Sequence, residues 1–233
     1  MITVFTLSYN EQLQLPNLIN HYRERFPGCK IVCYDNMSTD DTVSIAKNNN
    51  CDVISYDTNN QIVDSKYLEI KNNCWKNAST DWVLVCDVDE LLDINQDQLI
   101  KEEENHSTII KSEGYNMVSM NDLDSFEDIK YGYRAEPHDK SYLFNKKFIK
   151  EINYEPGSHI AKPEGIINFS NKSYIAYHYH FIAKPLLIKR YAMFAKRLSS
   201  QNLKNKWGFH YLYTEEQIHK EYERVRSISV KLL

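Results

Sequence analysis

The sequence predicts an α/β fold built on a doubly wound, mainly parallel sheet. The first observation is that predicted strands and helices alternate four times within residues 1–95, which is the pattern of such a sheet. The second is that polar residues follow each of the four strands, where ligands bind in folds of this class. The third is that 233 residues, 42% of them hydrophobic, suit one domain with a substantial core.

The elements of the first part follow from apolar spacing. Short apolar runs rich in β-forming residues predict strands, and apolar residues at helical spacing, such as Leu15, Leu18 and Tyr22, predict helices. Pro27-Gly28 ends the first of these helices. In order, we predict strands over residues 2–7, 30–34, 52–56 and 82–86, and helices over residues 11–26, 41–49 and 64–77.

The pattern changes after residue 95. We predict a short acidic helix over residues 96–104, then strands over 108–120, 140–152 and 173–181, a basic amphipathic helix over 185–198 and a last helix over 215–230. We therefore expect a single domain, 1–233, with three parts. They are a doubly wound half (1–95), a smaller mixed half (96–183) and a C-terminal helical segment (184–233).

Composition excludes several classes of protein. The closest two of the six glycines are eight residues apart, so neither G-x-G-x-x-G nor the Walker pattern can occur. The acidic net charge of -4, with no recognised nucleic-acid motif, argues against a nucleic-acid partner. The chain has no apolar run long enough for a transmembrane segment and no secretory signal at its start. The five cysteines contain no Cys-x-x-Cys pair, and we expect reduced thiols in a cytoplasmic protein.

Charge is uneven along the chain. Residues 165–214 contain eight Lys and Arg residues and no Asp or Glu. This basic segment indicates an anionic ligand near the C-terminal part, or a peripheral membrane contact through residues 184–206. The alternative is a solvated amphipathic helix that balances an acidic N-terminal half.

The strand ends carry the predicted chemistry. All four have acidic residues, and an edge so rich in carboxylates needs a divalent cation to hold a diphosphate. Asp87 and Asp89 follow a buried strand and point to the same side of an extended segment, so both can face one metal with oxygen ligands. A surface turn is the alternative. A calcium loop is excluded because Leu92 and Gln98 replace its sixth-position Gly and twelfth-position Glu.

Four blocks of this sequence, in order, resemble a glycosyltransferase of the GT-A fold, closest to family 2 and its relatives. In the second half, Gly157-Ser158-His159 and His178-Tyr179-His180 resemble C-terminal histidine motifs of some relatives. Met37 departs from the Gly that the family usually has in the second block. The four blocks are Leu7-Ser8-Tyr9-Asn10-Glu11, Asp35-Asn36-Met37-Ser38-Thr39-Asp40-Asp41-Thr42, Lys71-Asn72-Asn73 and Ala78-Ser79-Thr80-Asp81-Trp82-Val83-Leu84-Val85-Cys86-Asp87-Val88-Asp89-Glu90.

The resemblance implies a GT-A type α/β fold with a nucleotide-binding half (1–95) and an acceptor-side half (96–183). Tyr9 would pack on the base of a nucleotide-sugar, and Asp35 would accept a hydrogen bond from base or ribose. Lys71 stands where the family often has an Arg. Asp64 could contact the nucleotide. The simpler alternative is that its carboxylate stabilises the N-terminus of the helix that begins there. The expected donor-binding residues are Leu7, Tyr9, Asn10, Asp35, Asp64, Lys71 and Asp87.

The resemblance also implies a cofactor, Mn2+ or Mg2+, with Asp89 as a ligand and Asp87 touching ribose or metal. His178 and His180 lie on a predicted strand and project to one face. One of them could complete the metal site or bind a phosphate, and a structural role is the alternative. We expect His178 to be the ligand, and we place His159 near phosphate or acceptor.

An inverting transfer needs a base for the acceptor hydroxyl. The candidates are Glu155, which we favour, then Asp122, with Asp124 and Glu136 as further acids after the metal motif. A retaining mechanism does not need this base in the same place, so the stereochemistry stays open.

The expected function is transfer of a sugar from a nucleoside diphosphate sugar, expected to be UDP-linked, to a hydroxyl of a glycan, protein or small-molecule acceptor. A nucleotidyltransferase of similar fold is the first alternative. It usually has a Gly-rich, basic first loop, which Ser8-Tyr9-Asn10-Glu11 is not. A non-catalytic nucleotide- or sugar-binding module is the second.

Overall fold

Four parallel strands form the first half of the sheet in the computed structural model, which describes residues 1–122 and 125–233. They lie in the order β4-β1-β2-β3, and helices connect them as the sequence predicts. The elements are β1 (Ile2–Ser8), α1 (Leu15–Arg25), β2 (Lys30–Asp35), α2 (Thr42–Asn48), β3 (Asp52–Ser55), α3 (Asp64–Asn73) and β4 (Trp82–Asp87).

The central strand β1 is buried on both faces. Every residue from Ile2 to Ser8 is buried, so the strand is buried along its whole length rather than at alternate residues. Val4 and Leu84 pack into the larger apolar cluster on one face of the sheet, and Phe5 and Val85 pack into a second cluster on the other face. This double burial fixes β1 and β4 as the rigid support of the polar residues at their carboxyl ends.

The second half extends the same sheet. Strand β8 pairs antiparallel with β4, and β6 pairs antiparallel with both β8 and β7. Strand β11 lies between β5, to which it is antiparallel, and β6, to which it is parallel. The elements are β5 (Glu90–Leu92), α4 (Gln96–Glu104), β6 (Ile109–Val118), β7 (Tyr131–Arg134), β8 (Leu143–Asn145), β9 (Ile149–Glu151), β10 (Glu164–Gly165) and β11 (Phe169–Phe181).

The C-terminal helices cover one side of the sheet's carboxyl edge. They are α5 (Lys184–Ala195), α6 (Ser200–Asn205) and α7 (Glu215–Ile228), and β12 (Val230–Lys231) follows. Leu187 and Tyr191 of α5 pack with Phe181 and with Ile218 and Tyr222 of α7. None of the helices among the described residues combines the length and apolar character that a membrane crossing requires.

The predicted α/β class with a mainly parallel sheet is confirmed, and several element boundaries are wrong. The predicted strand over 140–152 is two strands, because the chain turns at Lys146, whose amide donates to the carbonyl of Asp81 (2.8 Å). Phe148, which lies within that range, is 40% exposed at the turn between the two strands. The predicted helix over 185–198 ends at Ala195, and the helix over 64–77 ends at Asn73. Strands β5 and β7 and helix α6 were not predicted.

Helix α1 supports the turn between β4 and β5 through one buried hydroxyl. The Tyr22 hydroxyl donates to the carbonyl oxygen of Glu90 (3.2 Å) and accepts from the amide of Leu92 (3.1 Å). The Tyr22 side chain is fully buried. The hydroxyl therefore satisfies two backbone groups that have no access to water.

Replacing Tyr22 by Phe should lower the free energy of unfolding by about 1–3 kcal/mol, because the buried amide of Leu92 loses its acceptor. Urea denaturation followed by circular dichroism measures the change. Tyr131→Phe is the control, since Tyr131 is 37% exposed on β7. Equal stability of the Tyr22→Phe variant and the wild type would contradict this role of the hydroxyl.

Candidate functional site

A cleft of about 500 Å³ opens at the carboxyl edge of the parallel strands. The ends of β1 and β4, helix α3, strand β11, helix α5 and residues 202–213 contribute to its walls. Ligands bind at this edge in open α/β sheets because the strand ends meet there and leave a crevice. The predicted position of the site is therefore where the structure has its polar cleft.

The Asp87-Val88-Asp89 segment is a tight turn between β4 and β5. Val88 is buried in the core at 4% exposure, which leaves the two aspartates on the side of the cleft. The Glu90 carboxylate accepts a hydrogen bond from the amide of Asp87 (3.1 Å), and the Asp89 carbonyl accepts from the amide of Tyr179 (2.8 Å). These bonds fix the turn against β11.

Asp89 faces His178 across this turn. Asp89 Oδ2 lies 3.6 Å from His178 Nε2, while His178 Nδ1 lies 2.6 Å from Asn116 Oδ1. Because an amide oxygen only accepts, Nδ1 carries a proton, and Nε2 is the ring nitrogen that faces Asp89. Asp89, His178 and His180 each have a ligand atom within 4.8 Å of those of the other two.

The protonation states of this cluster suit a cation. Burial alone would raise the pKa of Asp89, but His178 and Arg190 outweigh it and hold the pKa below its ordinary value. Burial lowers the pKa of His180, and the neighbouring His178 and His210 lower it further. The cluster therefore offers an anionic carboxylate and a neutral imidazole, which are the forms that bind metals.

A second cluster shares His178. Ligand atoms of Glu90, His138 and His178 also lie within 4.8 Å of one another, and the His138 and His178 rings are 4.0 Å apart at their centroids. Glu90 forms a short ion pair with Lys140, and both side chains are almost fully buried. Burial would raise the pKa of Glu90, but Lys140 and His138 outweigh it. Because Lys140 already neutralises Glu90, this cluster is less suited to a cation than the first.

Asp87 forms an ion pair with a buried lysine at the end of β4. Its Oδ1 lies 2.7 Å from Nζ of the buried Lys71, and Lys140 approaches its Oδ2 at 3.9 Å. Burial alone would lower the pKa of Lys71, but Asp87 and Glu90 outweigh it and raise the pKa. Asp87 thus lies beside the candidate metal cluster. Among the described residues, that cluster consists of Asp89, His178 and His180.

Arg190 of helix α5 links two acids of the cleft. Its Nη1 lies 2.6 Å from Glu11 Oε2, and its Nη2 lies 3.3 Å from Asp89 Oδ2. Burial raises the pKa of Glu11 to about 7 even though Arg190 pairs with it. The basic segment of the sequence therefore does supply a cation to the cleft, from helix α5.

Five of the seven expected donor-binding residues line the cleft: Leu7, Tyr9, Asp64, Lys71 and Asp87. Asn10 and Asp35, both described, lie outside its lining. Asp35 Oδ2 accepts from the amide of Ser38 (3.0 Å), so its carboxylate closes the turn after β2. Met37 adopts φ 57°, so this turn keeps the left-handed geometry that the family's Gly provides.

The expected catalytic bases lie elsewhere. None of Asp122, Glu136 and Glu155, all of which the structure describes, lines the cleft. Asp122 pairs with Arg226 (2.9 Å), and Glu155 pairs with Lys162. Asp124 lies outside the described residues. The base assignment stays a prediction, and the placement of these acids gives it no support.

Sequence reasoning missed Asn116, His138, Lys140 and Glu11 as functional residues. Glu11 stands in the first strand-end block, which was a usable signal. Asn116, His138 and Lys140 lie in the second half, where the resemblance is thin, and only the pairing of β6 and β11 and the turn before β8 bring them to the cleft. His159 lines the cleft, as expected, and its Nδ1 lies 2.7 Å from the carbonyl oxygen of Pro137.

Comparison with known proteins identifies the first part of the chain. Residues 3–103 match the model of the family described as glycosyl transferase family 2. This match confirms, for the first part of the chain, the resemblance found in the sequence. A search among curated proteins gave no match.

Solved structures with a similar fold are glycosyltransferases of low sequence identity. S. aureus TarS 1-349 in complex with UDP is 18% identical, with 84% of this chain and 64% of that chain covered and a TM-score of 0.48. The mannosyltransferase PcManGT from Pyrobaculum calidifontis, in complex with GDP-Man and Mn2+, is 14% identical, with 84% and 63% covered and a TM-score of 0.44. In a further structure of TarS 1-349, the chain spans 62% of the length of that protein.

Lys140→Met should lower the free energy of unfolding by about 3 kcal/mol, because it leaves the Glu90 carboxylate buried and uncompensated. Adding Glu90→Gln should restore most of this loss. Urea denaturation of the single and double variants measures both. Lys147→Met is the matched control, since its pair with Asp81 is exposed and is worth less than about 1 kcal/mol. If Lys140→Met lowered the free energy of unfolding by no more than Lys147→Met does, the result would contradict a buried ion pair between Lys140 and Glu90.

Proposed function

We propose that the chain transfers a sugar from a nucleoside diphosphate sugar to an acceptor hydroxyl with the help of a divalent cation, and the match of residues 3–103 to the model of glycosyl transferase family 2 supports this reaction. The observation that carries the proposal is the facing pair of Asp89 Oδ2 and His178 Nε2, 3.6 Å apart at the carboxyl edge of the sheet. His180 offers a third ligand atom beside them.

Asp89, His178 and His180 would hold the cation. One carboxylate and imidazole nitrogens suit Mn2+ better than Mg2+, which prefers an octahedron of oxygen ligands. Bound there, the cation would neutralise charge on the diphosphate as the glycosidic bond breaks. Asn116 would act through His178, since its amide oxygen fixes the ring so that Nε2 is the free nitrogen.

The charges of the cleft support a diphosphate ligand. Next to the candidate cation cluster, four carboxylates face three buried or half-buried cations, so this part of the cleft carries about one net negative charge. One divalent cation reverses that sign and makes the cleft receptive to an anion. The four carboxylates are Glu11, Asp87, Asp89 and Glu90, and the three cations are Lys71, Lys140 and Arg190.

The cleft continues beyond the cation cluster on the side of the second half of the chain. Asn116, Tyr133 and Tyr213 line this part, whereas Tyr9 and Tyr67 line the part beside β1 and α3. We place the nucleotide at the β1 and α3 end, as the family resemblance implies, and the acceptor at the other. The donor nucleotide expected from the sequence, UDP, belongs to this proposal, as do the sugar and the acceptor.

Mn2+ should raise the affinity of the wild type for a nucleoside diphosphate. In Asp89→Asn the factor by which Mn2+ raises this affinity should be at least tenfold smaller, because the neutral amide is a much weaker ligand. Calorimetric titration of UDP and GDP with Mn2+ or with EDTA measures this. Asp81→Asn is the matched control, since Asp81 is 45% exposed and lies away from the cleft. Slow hydrolysis of UDP-glucose, UDP-GlcNAc or GDP-mannose by the wild type would show the activity itself. The same Mn2+ gain in Asp89→Asn and in the wild type would refute the metal site.

A further inference from the structure

The segment that follows helix α5 exposes large apolar side chains. Leu203 is 50% exposed, Phe209 is 56% exposed and Leu212 is 54% exposed. Trp207 lies between them in the sequence and is half-buried. Single exposed apolar residues are common on protein surfaces, whereas several in one short segment mark a surface that contacts another body.

The backbone of this segment directs two of the side chains outwards. Phe209–Leu212 is a 3-10 turn, in which side chains three positions apart lie one above the other. Phe209 and Leu212 therefore share one face of the turn. Tyr211 points the other way, and its ring lies 5.5 Å from that of Tyr191 and 4.9 Å from that of Phe194, centroid to centroid. The inward packing of Tyr211 thus fixes the outward face.

Positive charge accompanies the apolar side chains. Lys196, Lys204 and Lys206 are exposed, and within residues 1–122 and 125–233 none of the three forms an ion pair. No Asp or Glu lies between residues 165 and 214. Two glutamates follow at the start of α7, and one of them, Glu216, pairs with Lys220 (2.8 Å). The segment therefore combines exposed apolar groups with unpaired cations.

We propose that this segment docks the protein on a membrane that contains anionic lipids. Its apolar side chains enter the boundary between headgroups and acyl chains, and its lysines pair with the lipid phosphates. A protein partner fits less well, because the centres of protein interfaces are depleted of lysine. The docking surface, which we call the basic apolar patch, consists of Leu203, Lys204, Lys206, Trp207, Phe209 and Leu212.

The basic apolar patch adjoins the cleft. His210, Tyr211 and Tyr213 of the same segment line the cleft, and the ring centroids of Phe209 and Tyr213 are 5.9 Å apart. Tyr213 belongs to the end of the cleft at which we place the acceptor. Docking through the patch therefore brings that end of the cleft to the membrane surface. The docking itself goes beyond the proposed function and does not depend on it.

Co-sedimentation with lipid vesicles tests the docking. The wild type should bind vesicles of phosphatidylcholine with about one-third phosphatidylglycerol at least about tenfold more strongly than vesicles of phosphatidylcholine alone. Phe209→Ser combined with Leu212→Ser should weaken binding to the anionic vesicles at least about tenfold, because two apolar side chains no longer enter the interface. Lys204→Gln combined with Lys206→Gln should weaken it by a similar factor and make it less sensitive to salt.

Two double variants are matched controls. Ile166→Ser with Phe169→Ser replaces apolar side chains that are 59% and 49% exposed near the start of β11, whereas α5 follows the end of that strand. Lys47→Gln with Lys101→Gln removes two exposed charges from α2 and α4. Both controls should bind vesicles like the wild type. Circular dichroism checks that every variant keeps the fold, which we expect because all the replaced side chains are exposed.

Tryptophan emission locates the contact on the protein. Of the three tryptophans, Trp75 is 2% exposed and Trp82 is 3% exposed, so Trp207 is the one that can reach lipid. Lipids brominated on their acyl chains should quench the emission of Trp207 in anionic vesicles. Trp207→Phe should abolish this quenching.

Four results would overturn the docking. They are no binding of the wild type to anionic vesicles, unchanged binding of the Phe209→Ser, Leu212→Ser variant, an equal loss of binding in the controls, and no quenching of Trp207 in the bound protein. Self-association of the wild type without lipid that is lost in the same variant would assign the patch to a contact between copies of the chain, and it would overturn the proposal too. None of these measurements reads sugar transfer, so their failure leaves the proposed function in place.

Discussion

The register of β11 is the constraint on which the site depends. This strand lies between β5 and β6 with His178 opposite both Glu90 and Asn116. A slip of one residue would turn the His178 side chain to the other face of the sheet and leave Asp89 without its partner. The pairing is fixed by buried residues of the same strand, such as Ala176 and Phe181, which pack into the apolar clusters. Core packing thus sets the geometry of the polar site.

Charge pairing explains how so many carboxylates can lie at one edge. Lys71 holds Asp87, Lys140 holds Glu90, and Arg190 bridges Glu11 and Asp89. Each cation comes from a different element, namely α3, the turn before β8 and helix α5, so the site exists only when the chain is folded. Glu90 has a full partner in Lys140, whereas Asp89 shares Arg190 with Glu11. Asp89 is therefore the carboxylate that is most available to an added cation.

The sequence predicted the part of this arrangement that depends on local patterns. The strands and helices of residues 1–95 follow apolar periodicity, and the sequence predicts both Asp89 and His178 as ligands, which lie 3.6 Å apart in the structure. The pairing of Asp87 with Lys71 depends on the rotation of α3, which periodicity does not fix. Strand β5 has only three residues, which are too few to show the alternation of apolar and polar residues that predicts a strand. Arg197 fell inside a predicted helix because its apolar neighbour Leu198 continues the spacing, whereas the helix ends at Ala195.

The central claim is that Asp89 and His178 hold one cation beside the donor diphosphate. Anomalous scattering from a crystal grown with Mn2+ and a nucleoside diphosphate tests it most directly. We expect one Mn2+ peak at about 2.0–2.3 Å from both Asp89 Oδ2 and His178 Nε2, the range of metal bonds to carboxylates and imidazoles. A bound nucleotide with no peak there, or with the peak on Asp87 alone, would contradict the account.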